Sequence, residues 1–295
     1  MKLNQKIIFL IVFSVFSLSI KANINIENPL PKISVLEDSM KSYANIIQIG
    51  KTDEERILAN DKFKTFLEKA LNNSESFTYP FDSLKSIAKL TSPDKQIRIY
   101  NWVLPRLDGT YSYCGYIQKK TGRKKFIIYP LVDKSEENTR GVDMKILSNY
   151  QWYGALYYKI IQPKKRLNKT YVLLGWDGND RMSNKKLIDV FYFDNKKEPK
   201  FGLPIFNMDK KTVNRIIFEF NKSASMSLRY EEDNNSIIYD HLEPSHPQLV
   251  GQYQFYGPDF SYDSLKFKKG SWNLVKDITP YNAPTGKEKN YNAPK

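Results

Sequence analysis

Thr110-Tyr-Ser-Tyr-Cys-Gly-Tyr-Ile-Gln118 is followed, across a Thr121-Gly122 turn, by Lys125-Phe-Ile-Ile-Tyr-Pro-Leu-Val132. Both runs are rich in Tyr, Ile and Phe, side chains that suit a pleated, half-buried surface. A short turn between two such runs joins them as antiparallel neighbours. The same texture recurs to residue 278. The pattern predicts strands over 97–103, 110–118, 125–132, 155–161, 171–176, 187–193, 215–220, 225–230, 236–240, 252–256, 261–267 and 272–275. Asp108-Gly109, Asp194-Asn195 and Asn234-Asn235 supply further turns. Residues 96–278 therefore read as one antiparallel β-domain, open between a sandwich, a barrel and a propeller-like meander.

Residues 23–95 read differently. Ser34 with Glu37, and Thr52 with Glu55, have the spacing of capping boxes. After the second, Ile57, Leu58, Phe63, Phe66, Leu67, Ala70 and Leu71 recur at helical intervals. Asp53, Glu54 and Glu55 stand where a helix dipole favours negative charge. A second, shorter helix is expected over 83–90, and another running from Val142 toward Tyr153. The fold class is α+β, a small helical N-terminal region packed on a larger antiparallel β-domain. The segment 279–295 carries Tyr-Asn-Ala-Pro twice around a charged spacer. It reads as a disordered tail.

Residues 1–22 pair a basic start, Lys2 and Lys6, with an apolar run of 14 residues from Ile7 to Ile20, then Ala22. That order is expected of a signal peptide, and the run is short of the roughly 20 residues a spanning helix needs. No later run approaches that length. The expected protein is exported to the periplasm or beyond, with no transmembrane segment once the leader is removed.

The net charge of +14 falls to +11 without Lys2, Lys6 and Lys21. Such a charge favours anionic partners: an acidic glycan, an envelope component or an acidic peptide. The exported address argues against nucleic acid. Three turns carry clusters of this positive charge, at Lys119, Lys120, Arg123, Lys124 and Lys125, at Lys164, Lys165, Arg166 and Lys169, and at Lys196, Lys197 and Lys200. These read as solvated hairpin tips unless the fold gathers them on one side. The single cysteine, Cys114, forbids an intrachain disulfide and, within a strand-like run, reads as buried and structural.

Catalytic signatures are weak. Gly50-Lys51-Thr52 resembles the end of a phosphate loop, but Asn45 stands where the first glycine belongs. Cys114 has no base near it in sequence. Asp240-His-Leu-Glu-Pro-Ser-His246 holds both histidines, yet its prolines and its spacing suit a turn better than a metal site. Glu219, Glu243, Asp259 and Asp263 could supply the two carboxylates of a glycosidase, and nothing singles out a pair.

The strongest candidate is Gly175-Trp-Asp-Gly-Asn-Asp180. Asp177, Asn179 and Asp180 offer oxygens close together, the raw material of a calcium loop, though the Glu expected at the twelfth position is missing. The same residues are ordinary turn formers. Trp176 and Tyr256 adjoin turns and are candidate ligand platforms, as are Trp152, Tyr153 and Tyr262.

Tyr171-Val-Leu-Leu-Gly-Trp-Asp-Gly-Asn-Asp180 with Lys185-Lys-Leu-Ile-Asp-Val190 resembles the core of a family of uncharacterised secreted bacterial proteins. Phe218-Glu-Phe220, Ala224-Ser-Met226, Asp240-His-Leu242 and Tyr256-Gly-Pro-Asp-Phe-Ser-Tyr-Asp263 are similar to it too. The resemblance covers about residues 97–277. It implies one coherent β-domain and no particular activity. The expected function is noncatalytic binding or envelope interaction. The alternative is a glycan- or peptide-directed hydrolase with an acidic site on the β-domain. Two facing carboxylates in an aromatic cleft favour the enzyme; a basic aromatic surface favours binding.

Overall fold

Helices α1 (Ile33–Ile49) and α2 (Asp53–Leu71) open the computed structural model, which describes residues 32–163 and 170–279. The leader at 1–22, the basic turn at 164–169 and the tail from Pro280 lie outside the described residues. The described residues belong to one unit. The Thr52 cap forms: its hydroxyl accepts the Glu55 amide at 3.1 Å, and Glu55 reaches back to accept the Lys51 amide at 2.7 Å. The first bond occupies an amide that a helix start leaves unpaired, and the second ties down the residue before the cap.

The expected Ser34–Glu37 box does not form, because α1 already begins at Ile33 and Lys32 is its cap. Buried Glu37 instead accepts the Tyr79 hydroxyl and the Ser83 amide, each at 2.7 Å. The helix expected over 83–90 is also absent. The chain there makes turns, then β1 (Ala88–Thr91), which pairs with β2 (Ile97–Pro105). The boundary placed at residue 95 therefore cuts through a hairpin.

Three sheets follow. The first runs β1-β2-β3-β4, with β3 at Tyr111–Gly122 and β4 at Lys125–Val132. The second runs β5 (Leu147–Ser148), β9 (Pro199–Phe201), β8 (Ser183–Phe193), β7 (Thr170–Asp177), β6 (Leu156–Ile161). Strand β12 (Ile216–Asn221) also pairs with β8, along its first half. The third runs β11 (Thr212–Val213), β10 (Phe206–Asn207), β16 (Ser271–Val275), β15 (Tyr256–Lys268), β14 (Ser236–Pro244), β13 (Leu228–Glu231). The sheets curl into a half-barrel, so the fold is α+β. One pair departs from the antiparallel rule: β10 lies parallel to β16.

Alternation along the strands shows how the layers stack. In β2, Tyr100, Trp102 and Leu104 face the helices and meet Met40, Phe63 and Leu67. Ile97 and Ile99 face the second sheet and its Tyr171, Leu173, Leu187 and Phe191. On the other side of that sheet, Val172, Leu174, Ile188 and Val190 meet Phe206, Ile237, Leu265 and Trp272 of the third. The middle sheet is covered on both faces, so β7 reads as a nearly unbroken apolar run, and β8 buries Leu187, Ile188, Val190 and Phe191 around Asp189. Burying one such side chain contributes about 1.5–3 kcal/mol.

Other departures have local causes. The helix expected from Val142 is replaced by two 3₁₀ turns, Val142–Met144 and Asn149–Gln151, with β5 between them. Fully buried Arg215 draws the Val142 and Lys145 carbonyls to its Nη1 at 2.6 and 3.3 Å. Residues 253–255 form a 3₁₀ turn rather than a strand, with the Gln254 carbonyl held by Asn221 at 2.7 Å. Strand β13 starts only at Leu228, because Asp240 takes the Ser227 amide at 2.8 Å.

Candidate functional site

The Asp177 turn is built by its own polar side chains. Asp177 Oδ1 accepts the Asn179 amide at 2.7 Å, and Asp180 Oδ1 accepts the amides of Met182 and Ser183 at 2.7 and 2.9 Å. Asn179 takes a left-handed backbone, φ 47°, which Asn tolerates better than most residues. Strand β3 reaches across to this turn. The Tyr113 hydroxyl donates to Asp177 Oδ1 at 2.8 Å and accepts the Gly178 amide at 2.7 Å.

The turn walls a cleft of about 400 Å³. Asp177, Asn179 and Asp180 line it, with Tyr153, Lys185 and Glu219. Glu219 Oε1 accepts the Ser183 hydroxyl at 2.7 Å, and its Oε2 stands 3.9 Å from Lys185 Nζ. Lys185 Nζ also donates to Asn179 Oδ1 at 2.7 Å. Burial is the main cause that raises the Asp177 carboxyl above its ordinary range, opposed by the Asn179 amide and the Tyr113 hydroxyl. Burial raises the Tyr153 hydroxyl too, with Asp177 and Glu219 adding to the effect.

Trp176 is half-buried beside the turn, its ring edge-on to Tyr111 at 5.5 Å. Lys222 Nζ lies 4.9 Å over Tyr111 and donates to the Gly178 carbonyl at 2.7 Å. Four of the five expected site residues are thus neighbours: Trp176, Asp177, Asn179 and Asp180. Tyr256 is not among them. It packs on Tyr253 at 5.1 Å, and its hydroxyl accepts the Gly251 amide at 3.0 Å. Trp152 and Tyr153, expected as exposed platforms, are 0% and 5% exposed, because the 3₁₀ turn before them folds both rings into the core.

As calcium ligands the loop oxygens are largely engaged: Asp177 and Asp180 each spend Oδ1 on backbone amides, and Asn179 Oδ1 faces an ammonium. Among the described residues no group of three or more His, Cys, Asp and Glu side chains is placed to hold a metal ion. The two histidines do not converge. His241 meets Asp263 at 2.9 Å and Glu243 at 3.1 Å, whereas His246 accepts the Gln248 amide at 3.3 Å. Cys114 is buried, its sulfur 3.5 Å from Asn60 Nδ2 and its thiol pushed up chiefly by burial.

A second cleft system lies around the basic β3–β4 hairpin, with Asp194 and Asn195 of the β8–β9 turn on its border. The β3–β4 hairpin and the β8–β9 turn meet where the Tyr129 hydroxyl donates to the Lys197 carbonyl at 3.2 Å. Lys119 Nζ lies 3.5 Å from the centre of the Phe193 ring. One cleft of about 540 Å³ is lined by Lys119, Lys120, Tyr192 and Phe193. Another of about 540 Å³ is lined by Lys120, Arg123 and Lys124, with Phe77 and Phe126 as its aromatic wall. The last two rings stack at 5.3 Å, only 3° from parallel. Lys120 borders both clefts and is exposed. The tips are charged in the sequence; their meeting depends on sheet order.

The chain finds no match among protein-family models, curated proteins or solved structures. Geometry alone therefore carries the functional reading.

Proposed function

We propose that this is an exported, noncatalytic protein that binds an acidic glycan along the groove shared by the β3–β4 hairpin and the β8–β9 turn. The reading rests on one observation: the basic tip of the β3–β4 hairpin stands beside aromatic rings, next to the β8–β9 turn. Lys120, Arg123 and Lys124 supply positive charge, and Phe77, Phe126 and Phe193 supply flat apolar faces. Sugar rings stack on such faces while carboxylates or sulfates meet the ammonium and guanidinium groups. Two clefts joined at Lys120 suit an extended chain better than a compact ligand. No helix of the described residues is long and apolar enough to cross a membrane.

The test compares retention on polygalacturonate with retention on dextran. Selective retention that weakens with salt is expected. Replacing Lys120, Arg123 and Lys124 together by Gln should cost about tenfold in affinity. Equal retention on dextran, or unchanged affinity of the triple variant, sinks the proposal. N-terminal sequencing of exported material should begin at or near Asn23; an intact Met1 would contradict export by cleavage.

The hydrolase reading draws on the raised Asp177 carboxyl near Glu219. Its weakness is that Glu219 is held by Ser183 and faced by Lys185, so the second carboxylate is not free to act as base or nucleophile. Turnover of glycan or peptide, lost in Glu219→Gln, would reinstate it.

A further inference from the structure

The Asp177 cleft holds two polar groups that the fold leaves unused. Asp177 is 5% exposed and spends Oδ1 on Tyr113 and Asn179. Its Oδ2 makes no hydrogen bond among the described residues. Tyr153 is also 5% exposed and lines the same cleft, and its hydroxyl likewise makes none. The two come from different segments, β7 and the stretch after the 3₁₀ turn at Asn149–Gln151. Both atoms open on the cleft rather than being sealed in the core, so a ligand seated there can satisfy both.

The charge around them selects the ligand. Glu136, Asp177, Asp180 and Glu219 line the cleft against one cation, Lys185. An anion would be repelled. A bare divalent ion would have to approach Lys185 Nζ, which already lies between Asn179 Oδ1 at 2.7 Å and Glu219 Oε2 at 3.9 Å. An organic ammonium group suits the arrangement better. Its N–H bonds can point at Asp177 Oδ2 and at the Tyr153 oxygen, and its carbon frame can lie along Tyr111, another lining residue. The volume of about 400 Å³ is enough for a single sugar or a short amine.

We infer that the cleft between Asp177 and Tyr153 is a second binding site, which takes a small ligand bearing a primary ammonium group. It is separate from the basic groove. Thr170 borders the groove and Asp177 the cleft, at opposite ends of β7, about 23 Å apart at the rise of a strand. One end of a single strand thus faces a basic groove, and the other an acidic cleft.

Calorimetric titration of the whole chain tests this with glucosamine and 1,4-diaminobutane, and with glucose and 1,4-butanediol as neutral counterparts. At least one ammonium probe should bind ten times more tightly than its neutral counterpart. Asp177→Asn keeps an oxygen for the Tyr113 and Asn179 bonds, so it should fold while losing that preference. Tyr153→Phe, which keeps the ring, should weaken the same probe severalfold. Neither change should alter retention on polygalacturonate, which separates this site from the groove. Equal binding of charged and neutral probes, no saturation by either amine, or calcium binding that Asp177→Asn removes would each overturn the assignment.

Discussion

The Tyr113 hydroxyl and the Asp177 carboxylate lie 2.8 Å apart across 64 positions of sequence, tying the first sheet to the second. The same hydroxyl accepts the Gly178 amide at 2.7 Å, so one oxygen fixes both the strand end and its turn. Tyr113→Phe removes both bonds from a buried site. The expected loss is about 1–3 kcal/mol in urea denaturation. Unchanged stability would show that the turn holds itself.

Arg215 and Asp189 form a fully buried ion pair with Nη2 3.2 Å from Oδ1. Asp189 also accepts the Tyr157 hydroxyl at 3.2 Å, and Tyr157 in turn accepts the Trp152 indole N–H at 3.0 Å. Arg215→Met leaves a buried carboxylate without its cation and frees the Val142 carbonyl. A loss of about 3–5 kcal/mol is expected, partly restored when Asp189→Leu is added. A single variant as stable as the parent would contradict this role.

Gly154 has φ +78°, and a Cβ there would stand 2.2 Å from Asp133 Oδ1. That carboxylate is not free to retreat, because it accepts the Ser135 amide at 2.9 Å and, through Oδ2, the Tyr113 amide at 2.8 Å. Gly154→Ala should therefore destabilise by about 1 kcal/mol or more. It should also disturb the neighbouring Tyr153, visible as altered near-ultraviolet dichroism.

His241 falls where the β14–β15 register slips, with Asp263 at one ring nitrogen and Glu243 at the other. Its pKa is raised above 6.5, chiefly by the Asp263 hydrogen bond and with Glu243 and Asp259 contributing. The folded state then holds this proton more tightly than the unfolded chain does. The resulting stabilisation is complete below the ordinary imidazole pKa and is lost as pH rises through the raised one. Melting temperature should fall across that window in the parent and fall less in His241→Gln. Identical slopes would refute the assignment.

What the sequence disclosed was local. The Thr52–Glu55 cap, the β3–β4 hairpin and the apolar run of β7 are each written in nearby residues. Ser34 and Glu37 had equally good spacing, but Glu37 was claimed by Tyr79 and Ser83, more than forty positions away. Strands of two or three residues, such as β5, β9, β10 and β11, carry too little pattern to be read. The Asp177 turn was legible because its residues are contiguous. Its partners Tyr113, Tyr153 and Glu219 were not, since no local rule brings such distant segments to one turn. The meeting of Lys197 with Tyr129 was hidden for the same reason.

The parallel pairing of Phe206 with Trp272 has a consequence for how the molecule is completed. Strand β16 supplies the neighbour that β10 needs, and the Trp272 amide donates to the Ile205 carbonyl at 2.7 Å. The Trp272 ring then fills the core beside Phe206 and Leu265. A contact spanning 66 positions cannot form until both of its strands are present. Hairpins such as β3–β4 can close early, but one face of the molecule stays open until Ser271–Val275 arrives. A chain truncated ahead of that strand would lack its final clasp, and its exposed third sheet would invite self-association rather than folding.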